Sequence, residues 1–305
     1  MFGASKVRCD LPILGASRET VQSIEVAIQR FDEGEILQLS DRVALEEPLE
    51  IRLEWLENGA RNHRSVSITM RTPGSDAELA VGFLVGEGVL RSRGDLLQVV
   101  PCGPDSGLHR GTNVVRVCLA DHAVVTWPAL ERHFYATSSC GVCGKASLEA
   151  LQVAGVAPIA RTSMRISPQE VCELPAKLRS RQGVFDQTGG LHAAALFALD
   201  ALGAATVVAI REDVGRHNAV DKVVGSQFMA GQCPLADRIL VLSGRASFEL
   251  VQKAAVAGIP IIVAVGAPSS LAIELAQKFN ITLLGFVRGN RFNIYHGGWR
   301  VDSTT

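Results

Sequence analysis

Hydrophobic and polar positions alternate along the first part of the chain. Ile24, Val26 and Ile28 stand between polar neighbours, and Leu49, Ile51, Leu53 and Trp55 between mostly charged ones. This period of two predicts strands with one buried face. Further strands are expected over 36–45 and through Val66, Ile68 and Met70, with turns at Asp32-Glu33-Gly34 and Asn58-Gly59. Arg71-Thr72-Pro73-Gly74 interrupts the alternation. Asp76 is then read as the N-cap of a helix to about Gly86, with Leu79, Ala80, Phe83 and Leu84 on one stripe. A polar, glycine-rich loop over 103–111 and a strand over 114–119 complete a small α+β domain, 19–134. Residues 1–18 carry no period and read as a loose arm.

From 135 to 305 the pattern becomes one of continuous apolar runs alternating with helical periods. Helices are predicted over 191–202, 219–225, 248–257 (ended by Gly258) and 271–279, and strands over 206–210, 238–242, 259–265 and 282–287. Such a sequence predicts an α/β domain with a largely parallel sheet covered on both faces. A hydrophobic content of 47% with 20% charged residues fits two well-buried domains. The formal net charge of -1 removes the broad basic field expected of a nucleic-acid binder. No apolar run reaches the length of a membrane helix, and no signal-peptide core is visible near the start. Seven cysteines without framework spacing point to a reducing compartment, and so to the cytoplasm.

Chemistry concentrates in two places. The first is Thr137-Ser138-Ser139-Cys140-Gly141-Val142-Cys143-Gly144-Lys145. A helical period beginning at Lys145 would set both thiols at a helix N-terminus beside a cation. Such surroundings lower a thiol pKa from about 8.5 into a range of roughly 3.5–7.5. Cys140 and Cys143 are therefore candidate reactive thiols. Cys9, Cys102, Cys118, Cys172 and Cys233 are isolated, so a second ligand pair for structural zinc is missing. A zinc deaminase would need an upstream His-x-Glu, which is absent too. A thioredoxin-type redox pair is the stronger rival.

The second place is the set of segments that follow the predicted strands: Arg211 to Asn218, Ser243-Gly244-Arg245, Gly266 to Ser270, and Arg288-Gly289-Asn290-Arg291. Open α/β sheets bind ligands at the carboxyl ends of their strands, where loop N–H groups and arginines hold phosphates. Arg211, Arg216, Arg245, Arg288 and Arg291 are expected to converge there on a polyanion. The alternative is that Asp213 or Asp221 neutralises Arg216 or Lys222.

These motifs resemble the FdhD/NarQ family of formate dehydrogenase accessory sulfurtransferases. The likeness runs through Glu46 to Leu49, Arg71 to Gly74 with Asp76, Gly82-Phe83-Leu84 with Glu87-Gly88, and Ser138 to Gly144. It continues through Thr188-Gly189-Gly190 with His192, Arg211 to Asn218, Ser243 to Ser247, and Phe286 to Arg291. The resemblance implies a cytidine-deaminase-like α/β/α fold for the second domain, without deaminase zinc, and a homodimer. It implies a sulfur carrier that takes sulfane sulfur from a cysteine desulfurase as a persulfide. The sulfur would go to the molybdenum bis(guanine dinucleotide) cofactor destined for the formate dehydrogenase apoenzyme. Cofactor-binding residues would be Phe286, Val287, Arg288, Gly289, Asn290 and Arg291, joined by Arg216, Ser243, Gly244 and Arg245; GDP is the expected small mimic. Cys140 is read as the carrier. Cys143 either attacks the inner sulfur and leaves a disulfide, or tunes its neighbour. The rival readings are a thiol–disulfide oxidoreductase and a non-catalytic cofactor chaperone.

Overall fold

The computed structural model describes residues 20–105, 112–123, 125, 156–161 and 164–302. Three sheets organise them. A hairpin of β1 (Ser23–Asp32) and β2 (Glu35–Ala44) stands as its own two-stranded sheet. A four-stranded sheet has the order β4-β3-β6-β5, from β3 (Glu47–Glu57), β4 (Ala60–Arg71), β5 (Leu96–Asp105) and β6 (Thr112–Leu119). Asn58, at φ 51°, and Gly59, at φ 77°, make the tight turn between β3 and β4. Helix α1 (Asp76–Gly86) follows. Ser75 rather than Asp76 occupies its N-cap position, because Asp76 is already helical and its carboxylate holds Arg71.

The second half is a six-stranded sheet of order β12-β11-β10-β9-β7-β8. Its strands are β7 (His192–Leu199), β8 (Ala205–Asp213), β9 (Ile239–Leu242), β10 (Ile261–Ala264), β11 (Thr282–Arg288) and β12 (Arg291–His296). Only β9, β10 and β11 run parallel in succession; β7 is antiparallel to both β8 and β9, and β12 is antiparallel to β11. The largely parallel expectation is thus corrected to a mixed sheet. The expected helix over 191–202 is also wrong. Its alanines favour a helix intrinsically, but the segment lies between two strands. Ala193, Ala195 and Phe197 enter one core while Ala194 and Leu196 enter the other. Burial on both faces overrides propensity, and Gly189, at φ 65°, ends the short helix α3 (Gly183–Thr188), which follows helix α2 (Pro168–Arg179).

Helices cover both faces of this sheet. α4 (Arg216–Met229), α5 (Phe248–Ala257) and α6 (Ser270–Lys278) join α1 in the larger core, with Leu196, Leu240, Leu242 and Ile262. α2 covers the other face through Val171, Leu174 and Leu178 against Phe197, Val241 and Val263. The larger core also takes Leu49, Ile51 and Leu53 from β3, so it is continuous from one large sheet to the other.

Buried polar groups stitch the halves together. Lys222, 1% exposed, reaches Asp213, 0% exposed, at 2.7 Å and donates to the Thr72 carbonyl at 2.8 Å. Asn218 donates to Asp213 at 3.0 Å and to the Met70 carbonyl at 2.7 Å. Arg71 makes a two-pronged bond to Asp76, both contacts at 2.9 Å, and reaches Asn113 at 3.0 Å. Two of the motifs that look chemical in the sequence, 71–76 and 211–218, therefore interlock as one internal network.

Candidate functional site

The strand ends form a continuous edge because the loops after β9 and β10 extend the sheet's hydrogen bonding. Gly266 N–H donates to Gly244 O at 2.9 Å, Ala246 N–H to Ala267 O at 3.1 Å, and Phe286 N–H to Gly266 O at 3.1 Å. Ser243 accepts from Ala193 N–H through its hydroxyl at 2.8 Å, tying β7 to the same edge. A methyl on Gly244 would meet the His192 ring at 3.5 Å, and one on Gly266 would meet Arg245 at 3.1 Å. Gly266 thus lets Arg245 pack closely against the edge, while Gly244 lies in ordinary contact with the His192 ring.

His192 is the centre of a cationic group. His192 is exposed at the start of β7, yet desolvation by its neighbours depresses its pKa below the ordinary histidine value, and Arg216, His217 and Arg245 depress it further, opposed by Asp213. Among the described residues neither Arg216 nor Arg245 has an ion-pair partner, and the Arg216 Nε is buried without a hydrogen bond. His217 Nε2 lies 3.3 Å from Ser247 Oγ and 3.7 Å from a Glu249 carboxylate oxygen. The hydrogen bond with His217 holds the Glu249 carboxyl down at about 2. α4 begins at Gly215 and α5 at Ser247, neither with a side-chain cap bond, whereas Ser167 caps α2 and Ser269 caps α6. The two helix starts thus add to the positive field of the side chains, that of α5 being partly answered by the Glu249 carboxylate in its first turn.

The expected convergence of five arginines divides. Arg211 is bound through two contacts of 2.6 Å to Glu78 and is neutralised. Arg216 and Arg245 share the His192 group. Arg288 and Arg291 pair across the exposed Gly289-Asn290 turn of the β11–β12 hairpin. That turn borders a cavity of about 450 Å³, whose other wall is Pro168, Gln169, Cys172 and Glu173 at the start of α2. Between the two places sits Phe286, 42% exposed, with φ at 54°. A non-glycine residue in that conformation is held by its surroundings at an energetic cost. Its register break lets Val287 turn into the α2-side core while Phe286 stays at the edge. Asp213 and Asp221 neutralise Lys222 and Lys253, respectively, each at 2.7 Å, and leave Arg216 alone. His192, His217, Ser247 and Glu249 did not stand out from pattern alone; the signal was the position of His192 just after Thr188-Gly189-Gly190, whose partners come from distant segments. Cys140 and Cys143 lie outside the described residues.

An α/β protein with a cationic, glycine-lined strand-end edge is a class suited to binding phosphorylated ligands. The chain belongs to the FdhD/NarQ family, whose model matches residues 44–302. It is 49% identical over 274 residues to a protein of Streptomyces coelicolor named sulfur carrier protein FdhD, covering 89% of this chain and 93% of that one. Proteins of the same name from Mycobacterium tuberculosis and Sulfolobus acidocaldarius are 46% and 40% identical, covering 88% and 92% of this chain and 94% and 100% of theirs. A crystal structure from Desulfotalea psychrophila, provisionally assigned as a formate dehydrogenase accessory protein, matches with a TM-score of 0.69 and 25% identity, over 92% of this chain and all of the other. Among the described residues no helix is long and apolar enough to cross a membrane.

Proposed function

We propose that the chain is a sulfur carrier that serves formate dehydrogenase, with Cys140 as the persulfide-bearing thiol. The observation that carries this reading is 49% identity, over 89% of the chain, to a relative named as a sulfur carrier. The Cys140-Gly141-Val142-Cys143 sequence supplies the chemistry. A Cys140 thiolate attacks the terminal sulfur of a persulfide on a cysteine desulfurase. A new S–S bond forms at Cys140, the old one breaks, and the donor leaves as a thiolate. Release follows when the Cys143 thiolate attacks the inner sulfur, forming a Cys140–Cys143 disulfide and expelling the outer sulfur as sulfide; a cellular thiol must then reduce the disulfide.

The acceptor in this proposal is the molybdenum bis(guanine dinucleotide) cofactor, bound as a substrate. Arg216, Arg245 and the uncapped starts of α4 and α5 suit a diphosphate. Phe286 offers an exposed aromatic face for a guanine, and Arg288 and Arg291 a second cationic contact. The carrier works as a homodimer in the cytoplasm, where thiols stay reduced, and its six-stranded unit is of the cytidine-deaminase-like kind. A thiol–disulfide oxidoreductase would have no use for the unpaired arginines of the strand-end edge. The test is a reconstitution with cysteine labelled in sulfur, a desulfurase, this chain and apo formate dehydrogenase carrying its cofactor. Label should reach the cofactor only when the chain is present. Equal labelling without it would refute the role.

A further inference from the structure

The strand-end edge gathers His192, Arg216, His217 and Arg245 beside the starts of α4 and α5. The His192 ring lies over Gly244. Arg216 and His217 act on it from α4, Arg245 from the loop after β9, and Asp213 from the end of β8. Asp213 is already engaged by Lys222, Asn218 and the Gly215 N–H, so it cannot balance the arginines as well. The other carboxylate is Glu249, in the first turn of α5, whose contact is with His217. The chain therefore supplies less negative charge than its own cations call for, and it supplies that charge on an exposed side chain able to move aside.

We propose that this edge is a proton-linked diphosphate site: a diphosphate docks between the starts of α4 and α5, displaces Glu249 from His217, and draws a proton from solvent onto His192. This rests on the reading above that a diphosphate-bearing ligand occupies the edge. Without ligand, desolvation and the surrounding cations hold the His192 pKa below the ordinary histidine value. A bound diphosphate reverses the sign of the local field and favours the imidazolium. His192 then adds a charged hydrogen-bond donor to the arginines already present. Binding tightens as pH falls toward the range where free His192 titrates and loosens as pH rises, because the bound state holds the proton to a higher pH. Glu249 stays ionised throughout and acts as a resident competitor for His217. The site thus grips its ligand when protonated and relaxes when the proton leaves.

The experiment is a histidine NMR titration of the full chain with and without inorganic pyrophosphate, the His192 signal being identified by its loss in His192→Asn or His192→Gln. Calorimetry on the same samples measures binding. The His192 midpoint should lie below that of a free histidine and rise when pyrophosphate is added. Wild-type affinity should increase between about pH 8 and about pH 6 more than that of His192→Asn. Glu249→Gln, with the competitor's charge removed, should bind several-fold more tightly. If pyrophosphate binds and the His192 midpoint does not move, the proton linkage is overturned while the diphosphate reading stands. If neither pyrophosphate nor GDP binds the wild-type chain, both fall together.

Discussion

Gly82 and Gly225 face each other where α1 crosses α4, and neither position has space for a side chain. A methyl group on Gly82 would come within 1.9 Å of the Asp221 carbonyl oxygen, and one on Gly225 within 1.9 Å of the Glu78 carbonyl oxygen. The contact joins the helix after the four-stranded sheet to the helix that carries Arg216 and His217. In an exposed helix, replacing glycine by alanine stabilises by roughly 0.5–1 kcal/mol. Here the sign should reverse. Gly82→Ala and Gly225→Ala should each force the helices apart and cost about 1–3 kcal/mol, as for an overpacked core. Urea denaturation of the two variants, read by circular dichroism, measures this.

Lys222 and Asp213 make a second link across the same region, and both are fully buried. Removing one member leaves a charge inside the core with no partner. Lys222→Ala and Asp213→Ala should therefore each destabilise the fold by about 3–5 kcal/mol. Replacing both with apolar residues of similar size should cost less than either single change. Chemical denaturation of the single and double variants is the check, and a double variant that loses the sum of the two single losses would show that the pair is not coupled.

Two groups at the strand-end edge predict how stability follows pH. Glu249 titrates at about 2 in the fold against an ordinary 4.5. Its contribution is present above 4.5 and is lost as pH falls from there toward 2. The side chain is half exposed, at 53%, so screening by solvent keeps the effect small. His192 has a depressed pKa, and the folded state thus disfavours its protonated form. Its contribution is present above 6.5 and declines as pH falls through that value. Melting temperatures across this range should decline less steeply for His192→Asn than for the wild type below pH 6.5, and less steeply for Glu249→Gln below pH 4.5.

Arg288 and Arg291 belong to a different part of the molecule from Arg216 and Arg245, and their effects should separate. Arg288→Ala or Arg291→Ala should weaken GDP binding by roughly 1–3 kcal/mol, the value of a lost charged hydrogen bond. Neither should alter the pH dependence that His192 sets. Calorimetry with GDP at two pH values distinguishes the contributions, and unchanged affinity in both variants would remove this turn from the binding site.

β3 was legible because it has one buried and one exposed face, and the alternation in Leu49, Ile51 and Leu53 records it directly; β1 alternates too, although most of the β1–β2 hairpin is exposed. The helix ended by Gly258 was legible too, because glycine adopts the left-handed conformation, here φ 78°, that the helix end requires. The segment 192–199 was not. A strand buried on both faces has no alternation, and its alanines point toward helix. β5 and β12 were missed for related reasons: Pro101, Gly103 and Pro104 disguise the first, and the polar residues of the exposed edge strand disguise the second. At the site, recurrence of arginine after successive strands located the edge, but spacing alone could not say which charges were spent internally. Arg211 and Lys222 are answered by Glu78 and Asp213, acidic residues brought to them by folding. The His192 group was hidden because its members come from separate segments, at 192, 216–217 and 245, and meet only where β7 passes beside β9.

The central claim is that Cys140 carries sulfur, and intact-protein and peptide mass spectrometry tests it most directly. The reduced chain is incubated with a cysteine desulfurase and cysteine, alkylated, and digested. A gain of about 32 Da, one sulfur atom, is predicted on the peptide containing Cys140, reversible by a thiol reductant and absent from Cys140→Ala. Cys143→Ala should still gain it. A wild-type chain that gains no sulfur, or a Cys140→Ala chain that gains as much as the wild type, would contradict the account.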